Sequence, residues 1–239
     1  MNGLIPGASE KDRYGKFPFF RLLTEHLIST GWTVYRYSKP GVEKTEINTT
    51  DYAKTDLPTT VAQIKSILEK MPDDAAPKIV FAWSEGTLAA TQLDLNKING
   101  MIFLGGISTN ISGVVKWQGG PDKEELLRTL SAMAPTNMLG SDRPAKRLLD
   151  EISLQNNWEY LQRYKKLKLL VLHGSADQEV PVSEARVWEN KLGQGRVTTI
   201  IEKGLDHRLS DTKQSPPDLT HLYVAIDSWL NGNWPIKND

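Results

Sequence analysis

The apolar residues of the chain follow two alternating rhythms. In "FPFFRLLTEHLIST", Phe19, Phe20, Leu22, Leu23, Leu27 and Ile28 form a helical stripe that stops at Gly31, a suitable C-terminal cap. "WTVYRY" then reads as a strand rich in aromatic and β-branched residues. From Asp56, an N-cap with Pro58 in the first turn, the apolar positions Leu57, Val61, Ile64, Leu68 and Met71 recur at spacings of three and four, which predicts a second helix. "KIVF", "GMIFLGG", "LKLLVLHG" and "VTTIIE" are short apolar runs bounded by turn residues, the pattern of strands buried on both faces of a parallel sheet. "LTHLYVAIDSWL" puts Leu219, Leu222, Tyr223, Ile226, Trp229 and Leu230 on one face of a final helix, expected to end before Gly232. The alternation predicts an α/β fold with a mostly parallel sheet and helices on both faces.

One segment breaks the alternation. Between Ile107 and Lys166 no strand is predicted; "KEELLRTLSAM", "PAKRLLDEIS" and "NNWEYLQRYKKL" read instead as short amphipathic helices separated by Gly and Pro. This reads as a helical cap, residues 107–166, inserted in a single domain spanning 1–239.

Composition narrows the chemistry. Lys plus Arg and Asp plus Glu number 29 each, so no global field recruits nucleic acid or an anionic membrane surface. The absence of cysteine excludes disulfides, thiolate metal sites and a cysteine nucleophile. No apolar run approaches the roughly 20 residues needed to span a bilayer, and the first residues do not read as a secretory signal, so a cytoplasmic protein is expected.

The most informative stretch is "KIVFAWSEGTLAATQL", Lys78 to Leu93. Ser84 sits where a buried strand turns sharply into a buried helix. A side chain at such an apex needs a positive φ, and small residues two positions either side avoid the resulting clash; Ala82 and Gly86 are those neighbours. The turn would present the hydroxyl at the carboxyl edge of the sheet, where open α/β sheets place their ligands.

"AWSEG" resembles the nucleophile elbow of the α/β-hydrolase superfamily, G-x-S-x-G, with Ala82 in place of the first glycine. That family orders its triad as serine, acid, histidine. After "KLLVLHG", the run "SADQEVPV" resembles the acid loop and implies Asp177; after "VTTIIE", "KGLDHRLSD" resembles the histidine loop and implies His207. Asp206 and Glu179 are the competing carboxylates. Of the other three histidines, His26 and His221 read as helix-face residues and His173 as a hydrogen-bonded structural residue. The resemblance also implies an oxyanion hole built from the backbone N–H of Glu85 and a second amide from an earlier loop. "PGASEKDRYG" resembles that loop and points to Ala8, with Asp12 and Arg13 nearby; a rival register through "NGL" points to Leu4. Family members open with an antiparallel hairpin and a strand before this loop, whereas only five residues precede Pro6, so a shortened N-terminus or further residues ahead of it are both expected possibilities.

These residues imply a serine hydrolase that cleaves a carboxylic ester or related acyl bond of a small molecule through Ser84, His207 and Asp177, with no cofactor or metal. Trp83, and Trp117, Met138 and Trp158 of the cap, are candidates for substrate contact, and the cap aromatics serve equally well as glue between cap and core. Two other readings stay open: a hydrolase-like binding protein that has lost catalysis, and an acyltransferase or lyase on the same fold.

Overall fold

The structure, a computed structural model, describes residues 2–5, 19–42, 48–72, 76–139, 143–209 and 218–235. In chain order the elements are β1 (Asn2–Ile5), α1 (Phe19–Ser29), β2 (Thr33–Arg36), α2 (Thr49–Tyr52), α3 (Leu57–Lys70), β3 (Lys78–Trp83), α4 (Gly86–Ala90) and β4 (Gly100–Leu104). They continue with α5 (Ile111–Trp117), α6 (Lys123–Ser131), β5 (Met138–Leu139), β6 (Arg143–Pro144), α7 (Ala145–Ile152) and α8 (Asn157–Leu161). β7 (Lys168–Gly174), α9 (Ser183–Leu192), β8 (Val197–Glu202) and α10 (Thr220–Asn233) complete the set.

Among the described residues six strands form one sheet in the order β2-β1-β3-β4-β7-β8, and every described pairing in it is parallel. The apolar runs alternate across it as a two-sided buried sheet requires. Val80, Ala82, Met101, Phe103, Leu169 and Val171 face one core with α3, α4 and α9, while Ile79, Phe81, Ile102, Leu104, Leu170 and Leu172 face another with α1 and α10. The Asp56 carboxylate caps α3 by accepting from the Thr59 amide at 2.8 Å, and α1 closes where the Trp32 amide reaches back to the Leu27 carbonyl at 2.9 Å.

The structure departs from the sequence expectation at four places. Asn2–Ile5, too short to read as a strand from its pattern, pairs with both β2 and β3, so a strand does lead into the segment that follows. Between β4 and β7 a two-residue-per-strand antiparallel hairpin, β5–β6, stands beside four helices, one of them (α5) carried by "ISGVVKW". The C-terminal helix runs through Gly232, because Trp234 packs edge-on against Trp229 at 5.2 Å and its amide bonds the Leu230 carbonyl at 2.7 Å. The helix α9, "SEARVWENKL", has apolar positions too sparse to signal it, yet it buries Trp188 completely.

The segment between β4 and β7 has its own apolar cluster, Ile107, Ile111, Val114, Leu126, Leu130, Ala145, Leu148 and Ile152, joined to the main body through Leu88 and Val180. Its root is fixed by Glu184 of α9. That buried carboxylate accepts from the amides of Ser108 and Thr109, at 2.7 and 2.8 Å, and from both of their hydroxyls. Among the described residues no helix is long and apolar enough to cross a membrane.

Removing Glu184 strands four donors in a dry position. Glu184→Ala is expected to lower stability by roughly 3 kcal/mol, read as a fall in the thermal midpoint; a midpoint unchanged from the parent would show that water replaces those bonds without cost.

Candidate active site

The site begins with a backbone constraint. β3 ends at Trp83 and α4 begins at Gly86, so the chain reverses within Ser84 and Glu85. Ser84 takes φ +54°, and its amide is anchored to the Leu104 carbonyl of β4 at 2.9 Å. Ala82 and Gly86 are both buried, which leaves no room for larger side chains beside the turn. Ser84 itself remains half-buried. Among the described residues only one other non-glycine residue has a positive φ: Leu209, two positions beyond His207.

The loops that carry Asp177 and His207 follow neighbouring strands, β7 and β8, and are stitched together at their roots. The Ser175 amide bonds the Glu202 carbonyl at 2.8 Å, and the Ala176 amide bonds the Leu205 carbonyl at 2.9 Å. At Gly174 the two backbones approach so closely that a Cβ would lie 2.2 Å from the Leu205 carbonyl oxygen and 2.3 Å from that of Asp206. Only glycine permits this approach.

That junction brings Asp177 and His207 together. Asp177 Oδ2 lies 2.7 Å from His207 Nδ1, and both residues are buried. Asp177 Oδ1 meanwhile accepts from the amides of Glu179 and Val180 at 2.8 and 2.9 Å. Burial by itself would raise the Asp177 pKa, but hydrogen bonds from His173 and His207, the charge of the imidazole and the Val180 amide outweigh it and hold the carboxyl well below the usual range. Asp177 therefore stays a carboxylate, and a carboxylate on Nδ1 favours the tautomer in which Nδ1 carries the proton. Nε2 is then the basic nitrogen; it is buried and without a hydrogen-bond partner among the described residues.

Ser84 does not hydrogen-bond Nε2 in this conformation, but its surroundings join it to the imidazole. Gly105, which follows the Leu104 carbonyl that anchors Ser84, packs so tightly that a Cβ there would sit 3.0 Å from the His207 ring. Trp83, which precedes Ser84, donates from Nε1 to the His207 carbonyl at 3.1 Å and tilts its ring 5.1 Å from the imidazole. Trp83 thus holds the histidine, a role its sequence position did not suggest.

The remaining nominees divide. Glu85 is placed at the start of α4 with its amide donating to nothing among the described residues. Ala8, Asp12 and Arg13 lie outside the described residues, and Leu4 lies within β1, paired on both sides, rather than in a loop. Trp117 is half-exposed at the end of α5, beside Gln118, whose side chain donates to the Glu179 carbonyl of the acid loop at 2.6 Å. Met138 is in β5, paired with Pro144. Trp158 packs against the core beside α9, with Lys191 Nζ 4.9 Å from its ring, and none of its described contacts reaches Ser84, Asp177 or His207. Asp206, the rival acid, caps its own turn by accepting from the Arg208 amide at 2.8 Å. Glu179 is exposed, with a carboxylate oxygen 3.8 Å from His207 Nε2.

Two features escaped the sequence. His173, at the end of β7, donates from Nε2 to the Val180 carbonyl at 3.0 Å and lies 3.1 Å from Asp177 Oδ2, so a second imidazole abuts the acid. Glu85 carries three cations: Lys39 at 2.9 Å, Arg143 at 2.8 Å and Arg147 at 3.1 Å. Burial opposes its charge, yet Arg147, Lys39 and Arg143 hold its pKa well below the ordinary value. Nothing local in the sequence signals these long-range partners of Glu85. A surface hollow lined by Lys65, Gln92, Asp94, Asn96, Arg163 and Tyr164 lies beyond the end of α4 and contains none of these groups. Among the described residues no three His, Asp or Glu side chains are grouped to hold a metal ion.

The strain at Ser84 is measurable. Ser84→Gly should be more stable than Ser84→Ala by roughly 0.5–1 kcal/mol, because the left-handed conformation costs an alanine more than glycine loses through its freer unfolded chain. Equilibrium unfolding of the two variants checks this; equal stability would mean that the turn is not strained.

No family model matches the sequence, and no curated protein matches it. Its fold, by contrast, has many solved relatives. A soluble variant of monoglyceride lipase from Saccharomyces cerevisiae superposes with a TM-score of 0.71 at 14% identity, covering 97% of this chain and 87% of that one. Est1E from Butyrivibrio proteoclasticus, with ferulic acid bound, gives 0.69 at 14% identity, covering 97% and 88%. Mouse alpha/beta hydrolase domain-containing protein 10 gives 0.64 at 19% identity, covering 97% and 89%. The all-parallel sheet, the serine elbow at the end of β3 and these superpositions together establish that the chain has the α/β-hydrolase fold.

Proposed function

We propose that the protein is a serine hydrolase of carboxylic esters of small molecules, with Ser84 as nucleophile, His207 as base and Asp177 as the acid that orients it. One observation carries the reading: a buried imidazole is locked by Asp177 through Nδ1, its Nε2 has no hydrogen-bond partner among the described residues, and Trp83, which precedes the strained Ser84, bonds the backbone of the same histidine. Such an Nε2 can accept the Ser84 proton as Oγ attacks the ester carbonyl carbon. The oxyanion is held by the Glu85 amide and, in this reading, by the Ala8 amide. The alcohol leaves with the proton from His207; water, deprotonated by the same nitrogen, then releases the acid and restores Ser84.

Residues 107–166 act as the cap in this proposal. Trp117, next to the acid loop, and Met138, on the hairpin whose Arg143 reaches Glu85, supply apolar contacts to the substrate. Esters are favoured over other acyl compounds because they are the more reactive carbonyls for such a triad and because the structural neighbours include esterases and a lipase by name.

Hydrolysis of short-chain 4-nitrophenyl esters tests the proposal. The parent should turn over, and Ser84→Ala and His207→Ala should each lower kcat at least about 1000-fold with the fold intact by circular dichroism. A folded parent without turnover, or a Ser84→Ala variant as active as the parent, would reject it.

A further inference from the structure

The ion cluster around Glu85 is not matched charge for charge. Among the described residues it contains three cations, Lys39, Arg143 and Arg147, and two carboxylates, Glu85 and Glu151. Arg147 is almost wholly enclosed, bridges Glu85 and Glu151, and also donates to the Thr60 hydroxyl at 3.3 Å. That part has an evident structural task, since it ties α7 to α3 and to the elbow.

Arg143 and Lys39 are different. Their side chains keep 28% and 14% exposure, and each spends a single bond on Glu85. Arg143 uses only Nη2, so the rest of its planar fork, which suits a carboxylate, has no partner among the described residues. A cluster built only to hold cap to core would need no such surplus, because an uncompensated charge in partial burial is costly. Burial and the neighbouring Glu85 also raise the Glu151 pKa, against the pull of Arg147.

The location makes the surplus relevant to the reaction. Glu85 directly follows Ser84, about 3.8 Å along the chain between Cα atoms. Arg143 pairs across the hairpin with Leu139, beside Met138, both partly buried, so the cation is flanked by apolar surface. An apolar spacer ending in a negative charge fits that arrangement.

We infer that the site is built for anionic esters, in which a carboxylate a few bonds from the scissile carbonyl docks on Arg143 and Lys39. This rests on the ester-hydrolase reading for the chemistry, though not for the binding. Half-esters of short dicarboxylic acids are the simplest members of the class.

The test compares 4-nitrophenyl hemiglutarate with its neutral counterpart 4-nitrophenyl valerate, and separately measures glutarate binding to the Ser84→Ala protein by thermal shift and calorimetry. The parent should prefer the hemiglutarate in kcat/KM by about tenfold or more at low salt, with the preference shrinking as salt rises. Arg143→Gln should lose most of that preference, while Arg143→Lys retains a large part of it and controls for loss of fold. Glutarate should bind the Ser84→Ala protein and fail to bind once Arg143→Gln is added. Equal rates on the two esters without glutarate binding would overturn the inference and leave the hydrolase reading standing. Glutarate binding without turnover of either ester would do the reverse. A preference unaltered by Arg143→Gln would overturn the assignment to this cluster.

Discussion

The buried hydrogen bond between Asp177 and His207 is the interaction on which the site depends, and it exists because two loops from adjacent strands are forced together. β7 and β8 run parallel, their loops leave the same edge of the sheet, and Gly174 allows the base loop to cross at a distance that any side chain would forbid. The bonds from Ser175 to Glu202 and from Ala176 to Leu205 then fix the crossing. Given that frame, Asp177 needs only its local turn, closed by the amides of Glu179 and Val180, to face the imidazole. His173 and Trp83 complete the enclosure, one against the acid and the other against the backbone of the base.

A second constraint holds the serine end. The β3–α4 turn is strained at Ser84, and the residue after it cannot move freely because Glu85 is gripped by three cations from two separate segments. Lys39 comes from the loop after β2 and Arg143 and Arg147 from the segment between β4 and β7. The amide proposed to meet the oxyanion is therefore preorganised by a charge network rather than by the elbow alone. The same network links the helices between β4 and β7 to the centre of the sheet, as Glu184 does at their root.

How much of this the sequence disclosed follows from the range of each interaction. The elbow was legible because its requirements are local: a buried strand, a serine, and small residues two positions either side. Asp177 and His207 were nominated because their loops resemble the family's acid and histidine loops, and the alternation that predicts a parallel sheet already sets those loops along one edge. The partners of Glu85 were not, since Lys39 and Arg143 lie 46 and 58 residues away in sequence and nothing local marks them. The contacts of two aromatic nominees were hidden for a related reason: Trp83 tilts against the His207 ring and Trp158 packs beside Lys191 of α9, partners that periodicity does not reveal. Short elements such as β1 and the β5–β6 hairpin contain too few residues to show a period.

Covalent labelling reads directly whether His207 activates Ser84. Purified protein would be treated with a fluorophosphonate and read by intact mass, beside the Ser84→Ala and His207→Ala variants. A single adduct on Ser84 is expected, absent from Ser84→Ala and nearly absent from His207→Ala. A folded parent that takes up no label, or labelling that persists without His207, would contradict that activation.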